Sequence, residues 1–333
     1  MSMFQRYDYL PATRLCSKPF VFACFFEDFV KRIAGFKMWY DANKPEHKNI
    51  YGLMMLGYHY ETPARMEWAK EQIQKISADF PTLKLRFLCN STIEKNNFGA
   101  IGAVAQYCNQ NAFLRENRYR VTPQKKVFEA VYLARFTPIK RHTLALKIPM
   151  LLLIGDYFER ESKYAEGVLG LRRSDTTWIR KVRGMFMFLY LNRAKVGLCL
   201  SPEEGAMYAC AEYGLCGLPV VTTRCLGGRE NSLSPKYTHF IQLDNPEQDD
   251  VAAAVAEVAA KNFDPHEIRR ATIAVFEEHR ARYKALIEQI FAESKEGGAA
   301  DMRKCLNFPH KFGVRCRVLP LFKYFRALRL RKK

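Results

Sequence analysis

Two glutamates, Glu204 and Glu212, stand eight residues apart in the segment Val196–Thr223. That segment runs from an apolar strand, through a stretch of helical character, into a second apolar strand. The first strand ends at Ser201, and Pro202 suits a first helical turn. Glu204 follows Ser201 by three residues, so the pattern predicts a capping box with Ser201 as N-cap of a helix over Glu203–Leu215. Gly205 then falls in the first turn, where it weakens a helix relative to Ala. Close approach of a ligand to the backbone would account for it. The N–H groups around Gly205, Ala206 and Met207 would lie at the positive end of the helix, a place suited to phosphate or sugar oxygens. On a single helix the two carboxylates would be about 12 Å apart along the axis and roughly 80° apart in rotation. That spacing could hold two ends of an extended ligand. The plainer alternative makes Glu204 only a cap and Glu212 only a solvated residue.

Cations stand ready upstream. Ala134–His142 follows an apolar strand and opens a predicted helix, and it carries Arg135, Lys140, Arg141 and His142. Two cations at a strand-to-helix turn, beside a helix N-terminus, can form a diphosphate site. The competing reading of Lys140-Arg141 is a solvated helix start. Nearer the N-terminus, His59 follows the apolar run Ile50–Leu56, and Asn90 follows Leu83–Cys89. Either could face a ligand, although a histidine among aromatics is more often packed. Asp249-Asp250 reads as an N-terminal charge pair on a helix.

These residues need elements to hold them. Apolar runs predict strands at Ile50–Leu56, Leu83–Cys89, Ala103–Cys108, Val127–Ala134, Met150–Ile154, Val196–Leu200, Leu218–Thr222 and His239–Leu243. Phe20–Phe26 reads as a strand or a buried helical turn. Helical periodicity marks Pro63–Asp79, Lys140–Ile148, Trp178–Asn192, Glu203–Leu215, Asp249–Lys261, His266–Arg282 and Tyr283–Ser294. Arg115–Lys126, polar and broken by Pro123, is the linker candidate. Strands alternating with helices argue for an α/β protein with parallel, doubly wound sheets, which bind ligands at the carboxyl ends of their strands.

The combined spacing resembles the nucleotide-sugar glycosyltransferases of the GT-B class, specifically those like glycosyltransferase family 4. The resemblance rests on Ser201, Glu204-Gly205, Glu212 and the strand entry Gly217-Leu218-Pro219-Val220-Val221. It continues in Thr222–Glu230, which is similar to the family's glycine loop, with Gly228 and Glu230 one residue closer than usual. Arg135 and Lys140 match the family's Arg and Lys, which grip the donor diphosphate. Asn109–Leu114 resembles its inter-domain segment but lacks the glycine; a structural role is expected for it. The likeness spans about residues 103–290. It implies two Rossmann-like domains facing a cleft: a short acceptor-side domain over 1–122, a nucleotide-sugar domain over 123–290, and a basic extension over 291–333.

The implied chemistry is transfer of a sugar from a nucleoside diphosphate sugar to a hydroxyl acceptor, with retention at the anomeric carbon. Arg135, Lys140 and the N–H groups of Gly205, Ala206 and Met207 would stabilise the leaving diphosphate. Glu204 would hold hydroxyls of the sugar and Glu212 those of the ribose. The base would lie near Ile154–Asp156, and His59 and Asn90 would be on the acceptor side. No Asp-x-Asp metal motif stands out, and neither a metal nor a cofactor is expected, as in this class. A sugar-nucleotide epimerase is the nearest alternative; a basic nucleic-acid-binding protein is a more distant one.

Composition sets the outer bounds. The 333 residues, 48% hydrophobic and 26% charged, exclude wholesale disorder and allow about two domains. Ten cysteines form no CxxC pair and no zinc spacing, which with the lack of a signal-peptide pattern points to a cytoplasmic protein. The formal net charge is +19. From Arg303 to Lys333 there are 11 basic and no acidic residues, leaving 42 basic against 34 acidic before them. No nucleic-acid-binding signature accompanies this charge, so no specific nucleic acid is expected. Pro320–Arg331 mixes aromatics and leucines with cations, and would suit either an anionic membrane surface or packing against the N-terminal domain. Attachment at the inner face of a membrane would fit a glycan or lipid-linked acceptor in surface polysaccharide or glycolipid assembly.

Overall fold

A computed structural model of the chain describes residues 12–43, 48–182 and 184–313. The basic segment Pro320–Arg331 lies outside the described residues. Two units divide the chain: one takes the described residues up to Leu114 and those from Glu278 onward, the other Arg115–Glu277. These divisions fall at 114 and 277, where the sequence suggested 122 and 290. The predicted linker Arg115–Lys126 belongs to the second unit.

The first unit holds a five-stranded sheet in sequential order, β1 (Thr13–Ser17), β2 (Phe20–Phe25), β3 (Ile50–Met55), β4 (Leu83–Cys89) and β5 (Ala105–Tyr107). Only β1 is antiparallel to its neighbour. Strand β2 is buried at every position. Its alternate residues explain the unbroken apolar run. Phe20, Phe22 and Cys24 pack with Phe29, Phe36, Trp39 and Ile76 of the connecting helices. Val21, Ala23 and Phe25 turn to the opposite face and meet Tyr283, Ile287 and Ile290. A parallel strand covered on both faces needs no polar alternation, and each fully buried aromatic contributes about 1.5–3 kcal/mol. The helix Pro63–Asp79 has its expected bounds. The helices His266–Arg282 and Tyr283–Ser294 are one continuous helix, Pro265–Ser294.

The second unit holds β6 (Phe128–Leu133), β7 (Leu151–Ile154), β8 (Thr177–Ile179), β9 (Ala194–Cys199), β10 (Val220–Thr223) and β11 (Thr238–Ile241). Their order across the sheet is β11-β10-β9-β6-β7-β8, all parallel. The order reverses between β6 and β9, the doubly wound pattern whose switch point places ligands at the strands' carboxyl ends. Gly197 in β9 is required there: a Cβ would stand 2.4 Å from the Tyr213 ring. That ring lets the Tyr213 hydroxyl accept the Leu133 N–H at 2.6 Å, fixing the helix Tyr208–Leu215 over β6. Trp178, expected in a helix, lies in β8, and the following helix shrinks to Met187–Leu191. Among the described residues no helix is long and apolar enough to cross a membrane.

Candidate active site

The two segments singled out in the sequence meet where the strand order reverses. Lys140 lies in the connection after β6, Glu204 in the connection after β9, and their side chains form an ion pair. Both are largely shielded, with 18% and 13% of their side chains exposed. The backbone around them departs from the helices expected. Lys140–Ile148 is two short 3-10 turns, Pro138–Lys140 and His142–Ala145, broken by the left-handed Arg141. That conformation, with φ 49°, aims the Arg141 guanidinium at the Leu200 carbonyl (2.6 Å) and the Thr223 hydroxyl (2.6 Å). The Lys140 carbonyl accepts the buried Tyr132 hydroxyl at 2.5 Å.

The second departure concerns Ser201–Met207. The helix begins at Tyr208, and Ser201 does not cap it. Pro202–Gly205 runs instead beside Leu226–Gly228. The Glu204 N–H donates to the Leu226 carbonyl (3.0 Å), the Leu226 N–H to Pro202 (2.8 Å), and the Gly228 N–H to Gly205 (3.0 Å). With the backbone held extended by these bonds, it cannot enter a helical turn. Ser201 and Glu204 still meet, but side chain to side chain, the hydroxyl donating to Glu204 Oε1 at 2.5 Å. Gly205, Ala206 and Met207 therefore precede the helix, and Met207 at its N-cap is left-handed with φ 46°. The separation worked out for Glu204 and Glu212 on one helix does not apply.

Glu212 is on the helix, buried, and accepts the Tyr119 hydroxyl at 2.8 Å. Burial and the neighbouring carboxylate push the Tyr119 phenol well above its ordinary range, so the proton stays on tyrosine. Arg135 is exposed, its guanidinium 4.4 Å from the centre of the Phe158 ring. At the end of β7, Asp156 accepts from Arg180 (2.8 Å) and pairs with Lys181 (3.3 Å). The Arg180 hydrogen bond is the chief cause holding its carboxyl at about 2. His142 is a core residue: fully buried, stacked on Phe136 at 4.3 Å, and bonded through its backbone N–H to the Tyr164 hydroxyl (3.0 Å). Burial pushes it down to about 3, so it is neutral.

In the first unit, His59 is buried. Asn90 has its amide committed to packing: its Nδ2 donates to the Leu56 carbonyl (3.4 Å) and its Oδ1 accepts the Gln110 N–H (3.1 Å). Asn109 and Gln110 donate in turn to the Asn90 (3.1 Å) and Leu56 (2.9 Å) carbonyls. The segment Asn109–Leu114 thus ties the ends of β3 and β4 together, the structural role expected of it. Glu94 is buried beside them, accepting the Asn90 (2.7 Å) and Tyr60 (3.0 Å) N–H groups, and burial pushes its carboxyl up to about 7.

One member of the site gave no warning of its role in the sequence. Arg229 is fully buried and touches Ser201, Thr223 and Glu230. Only its place between the Gly227-Gly228 pair and an acidic residue could have marked it. Among the described residues no group of His, Cys, Asp and Glu is placed to hold a metal ion.

Two parallel sheets of this kind, on a single chain, are the fold of the GT-B glycosyltransferases. The solved structures that share it include HepE of Anabaena in complex with UDP and glucose, 14% identical over 80% of each chain, with a TM-score of 0.51. Sucrose-phosphate synthase from Thermosynechococcus elongatus is 16% identical over 80% of this chain and 79% of its own, with a TM-score of 0.54. TarM is 12% identical, covering 82% of this chain and 54% of its own, with a TM-score of 0.56. The likeness is one of fold. No family model matches the chain, and no curated protein matches it.

Proposed function

We propose that the chain is a glycosyltransferase moving a sugar from a nucleoside diphosphate sugar to a hydroxyl acceptor. The observation that carries this reading is the Lys140–Glu204 pair at the carboxyl ends of β6 and β9, where the strand order reverses. A cation there suits the diphosphate, and a carboxylate beside it suits sugar hydroxyls. The fold shared with HepE, which was solved with UDP and glucose, supports it.

In this reading Lys140 takes the diphosphate and Arg135 swings from Phe158 to join it. The backbone of Gly205, Ala206 and Met207 lines the phosphate side, Glu204 holds the sugar, and Glu212 holds the ribose. Charge on the leaving diphosphate is met by these fixed cations without a metal. The acceptor attacks the face the diphosphate leaves, and the diphosphate takes the acceptor's proton, which retains the anomeric configuration. His59 and Asn90 are assigned to the acceptor side only as residues that shape it, since both are buried and the Asn90 amide is bonded to Leu56 and Gln110. An acceptor in a surface polysaccharide or glycolipid, with cytoplasmic enzyme drawn to the anionic membrane face by its basic end, completes the proposal.

A panel of nucleotide sugars tested by thermal shift checks it first, because a ligand that binds the native state raises the melting temperature by mass action. One donor should stabilise the chain and then be consumed only when an acceptor is present, with product configuration read by NMR. No stabilisation by any nucleotide sugar refutes the reading. Conversion of the donor without acceptor makes the chain an epimerase instead.

A further inference from the structure

We infer that Arg229, acting through Ser201, is a positioning residue that aims the carboxylate of Glu204; the inference rests on the role proposed for Glu204 above. A guanidinium removed from water must have its donors paired. Arg229 is 0% exposed, and its partners are all within reach. Nη1 donates to the Ser201 carbonyl at 2.8 Å and reaches Ser201 Oγ at 3.4 Å. Nη2 donates to the Thr223 carbonyl at 2.5 Å and to Glu230 at 2.7 Å, and Nε to Glu230 at 3.2 Å. Arg229 thereby locks Ser201, two residues past β9, to the last residue of β10, with Glu230 balancing its charge.

The consequence lies at the Ser201 hydroxyl, which has one proton and two lone pairs. Arg229 approaches a lone pair, which leaves the proton to Glu204 Oε1 at 2.5 Å. Lys140 donates to the same Oε1. Both donors meet on one oxygen and leave Oε2 for a sugar hydroxyl; when a diphosphate draws Lys140 away, the Ser201 hydroxyl keeps its hold on Oε1. Arg141 braces the same strand ends from Leu200 and the Thr223 hydroxyl, but its bonds do not include Ser201 or Glu204. Of these two arginines, Arg229 has the path to the carboxylate.

The test compares the full chain with Ser201→Ala, Ser201→Thr, Arg229→Lys and the Ser201→Ala/Arg229→Lys double variant. Two readouts are taken: kcat and KM for the donor, and the rate at which a water-soluble carbodiimide with an amine labels Glu204, followed by peptide mass spectrometry. Ser201→Ala should lower kcat about tenfold, as loss of one hydrogen bond to a charged group does. Donor KM should stay within about twofold, and Ser201→Thr should restore kcat because it keeps the hydroxyl. The double variant should be no worse than Arg229→Lys alone, since both act on one path. Glu204 should label faster in Ser201→Ala and Arg229→Lys than in the wild type. Wild-type kcat and labelling in Ser201→Ala, or additive losses in the double variant, overturn the inference. If the wild type transfers no sugar, the transferase reading fails alone, and the labelling rates still decide whether Arg229 and Ser201 hold Glu204. Should Arg229→Lys not fold, the Ser201 pair decides.

Discussion

Replacing Glu204 by Gln should abolish sugar transfer and yet tighten the binding of a nucleoside diphosphate. The two effects have opposite sign because Lys140 has two suitors. In the structure its ammonium belongs to Glu204, and a diphosphate must draw it away. Side-chain exposures of 18% and 13% place the pair between surface and interior. At an effective dielectric near 20, two unit charges at about 4 Å attract by ~4 kcal/mol, most of it offset by desolvation. A charged hydrogen bond is worth about 1.5–3 kcal/mol net and a neutral one about 1. Exchanging the carboxylate for an amide therefore releases Lys140 by ~0.5–2 kcal/mol, a gain in Kd on the order of tenfold. Isothermal titration of UDP, as a probe, into the wild type, Glu204→Gln, Lys140→Met and the double variant measures it. Glu204→Gln should bind about tenfold tighter, Lys140→Met more weakly, and the double variant like Lys140→Met. Unchanged or weaker binding by a well-folded Glu204→Gln refutes the competition. Equal tightening in the Lys140→Met background shows that the carboxylate repels the diphosphate directly, and also refutes it.

Other expectations are simpler. Chelator should leave turnover intact if Lys140 and Arg135 neutralise the leaving group; loss that a divalent ion restores contradicts this. His142, held neutral at about 3 by burial, takes up a proton on unfolding anywhere below its ordinary value near 6.5. The stability it confers is complete above that value and is lost as pH falls toward 3, by up to ~1.4 kcal/mol per pH unit. His142→Phe should keep the stacking on Phe136 and flatten this slope in urea unfolding at pH 7 and 4.5; an unaltered slope rejects the assignment. Gly155→Ala would place a Cβ 1.8 Å from the Ala134 carbonyl oxygen and should cost about 2 kcal/mol or more. A melting temperature equal to the wild type would show that the ends of β6 and β7 yield.

What the sequence disclosed follows from burial. Strand β3, covered on both faces, appears as an unbroken apolar run, while β4 and β9 are apolar runs broken only by Lys84, Arg86 and Lys195, and the bounds of all three emerge within two residues. The helix Thr92–Ala100 buries only Glu94 and Phe98, and Ser162–Gly170 only Ala165 and Val168, too little for a periodic pattern. Strand β8 is three residues long and shows no alternation. Lys140 and Glu204 were legible from spacing, and the structure brings them together. The capping box was misleading for a definable reason. Ser201 and Glu204 satisfy each other through their side chains, while the backbone between them is committed to Leu226–Gly228, more than twenty residues further on and outside any local window. Arg229 was illegible because no local pattern announces that a guanidinium will be enclosed by two strand ends.

The first unit is assembled from two stretches separated by the whole of the second. During synthesis, Val21, Ala23, Phe25, Tyr51 and Leu53 leave the ribosome long before Tyr283, Ile287 and Ile290, the residues that cover them. The second unit, unbroken from Arg115 to Glu277, has all its strands in hand by then. The early sheet therefore cannot bury that face until the helix Pro265–Ser294 has been made, whereas the second unit already has every strand it needs. A nascent chain that ends before residue 278 leaves that apolar face without its cover.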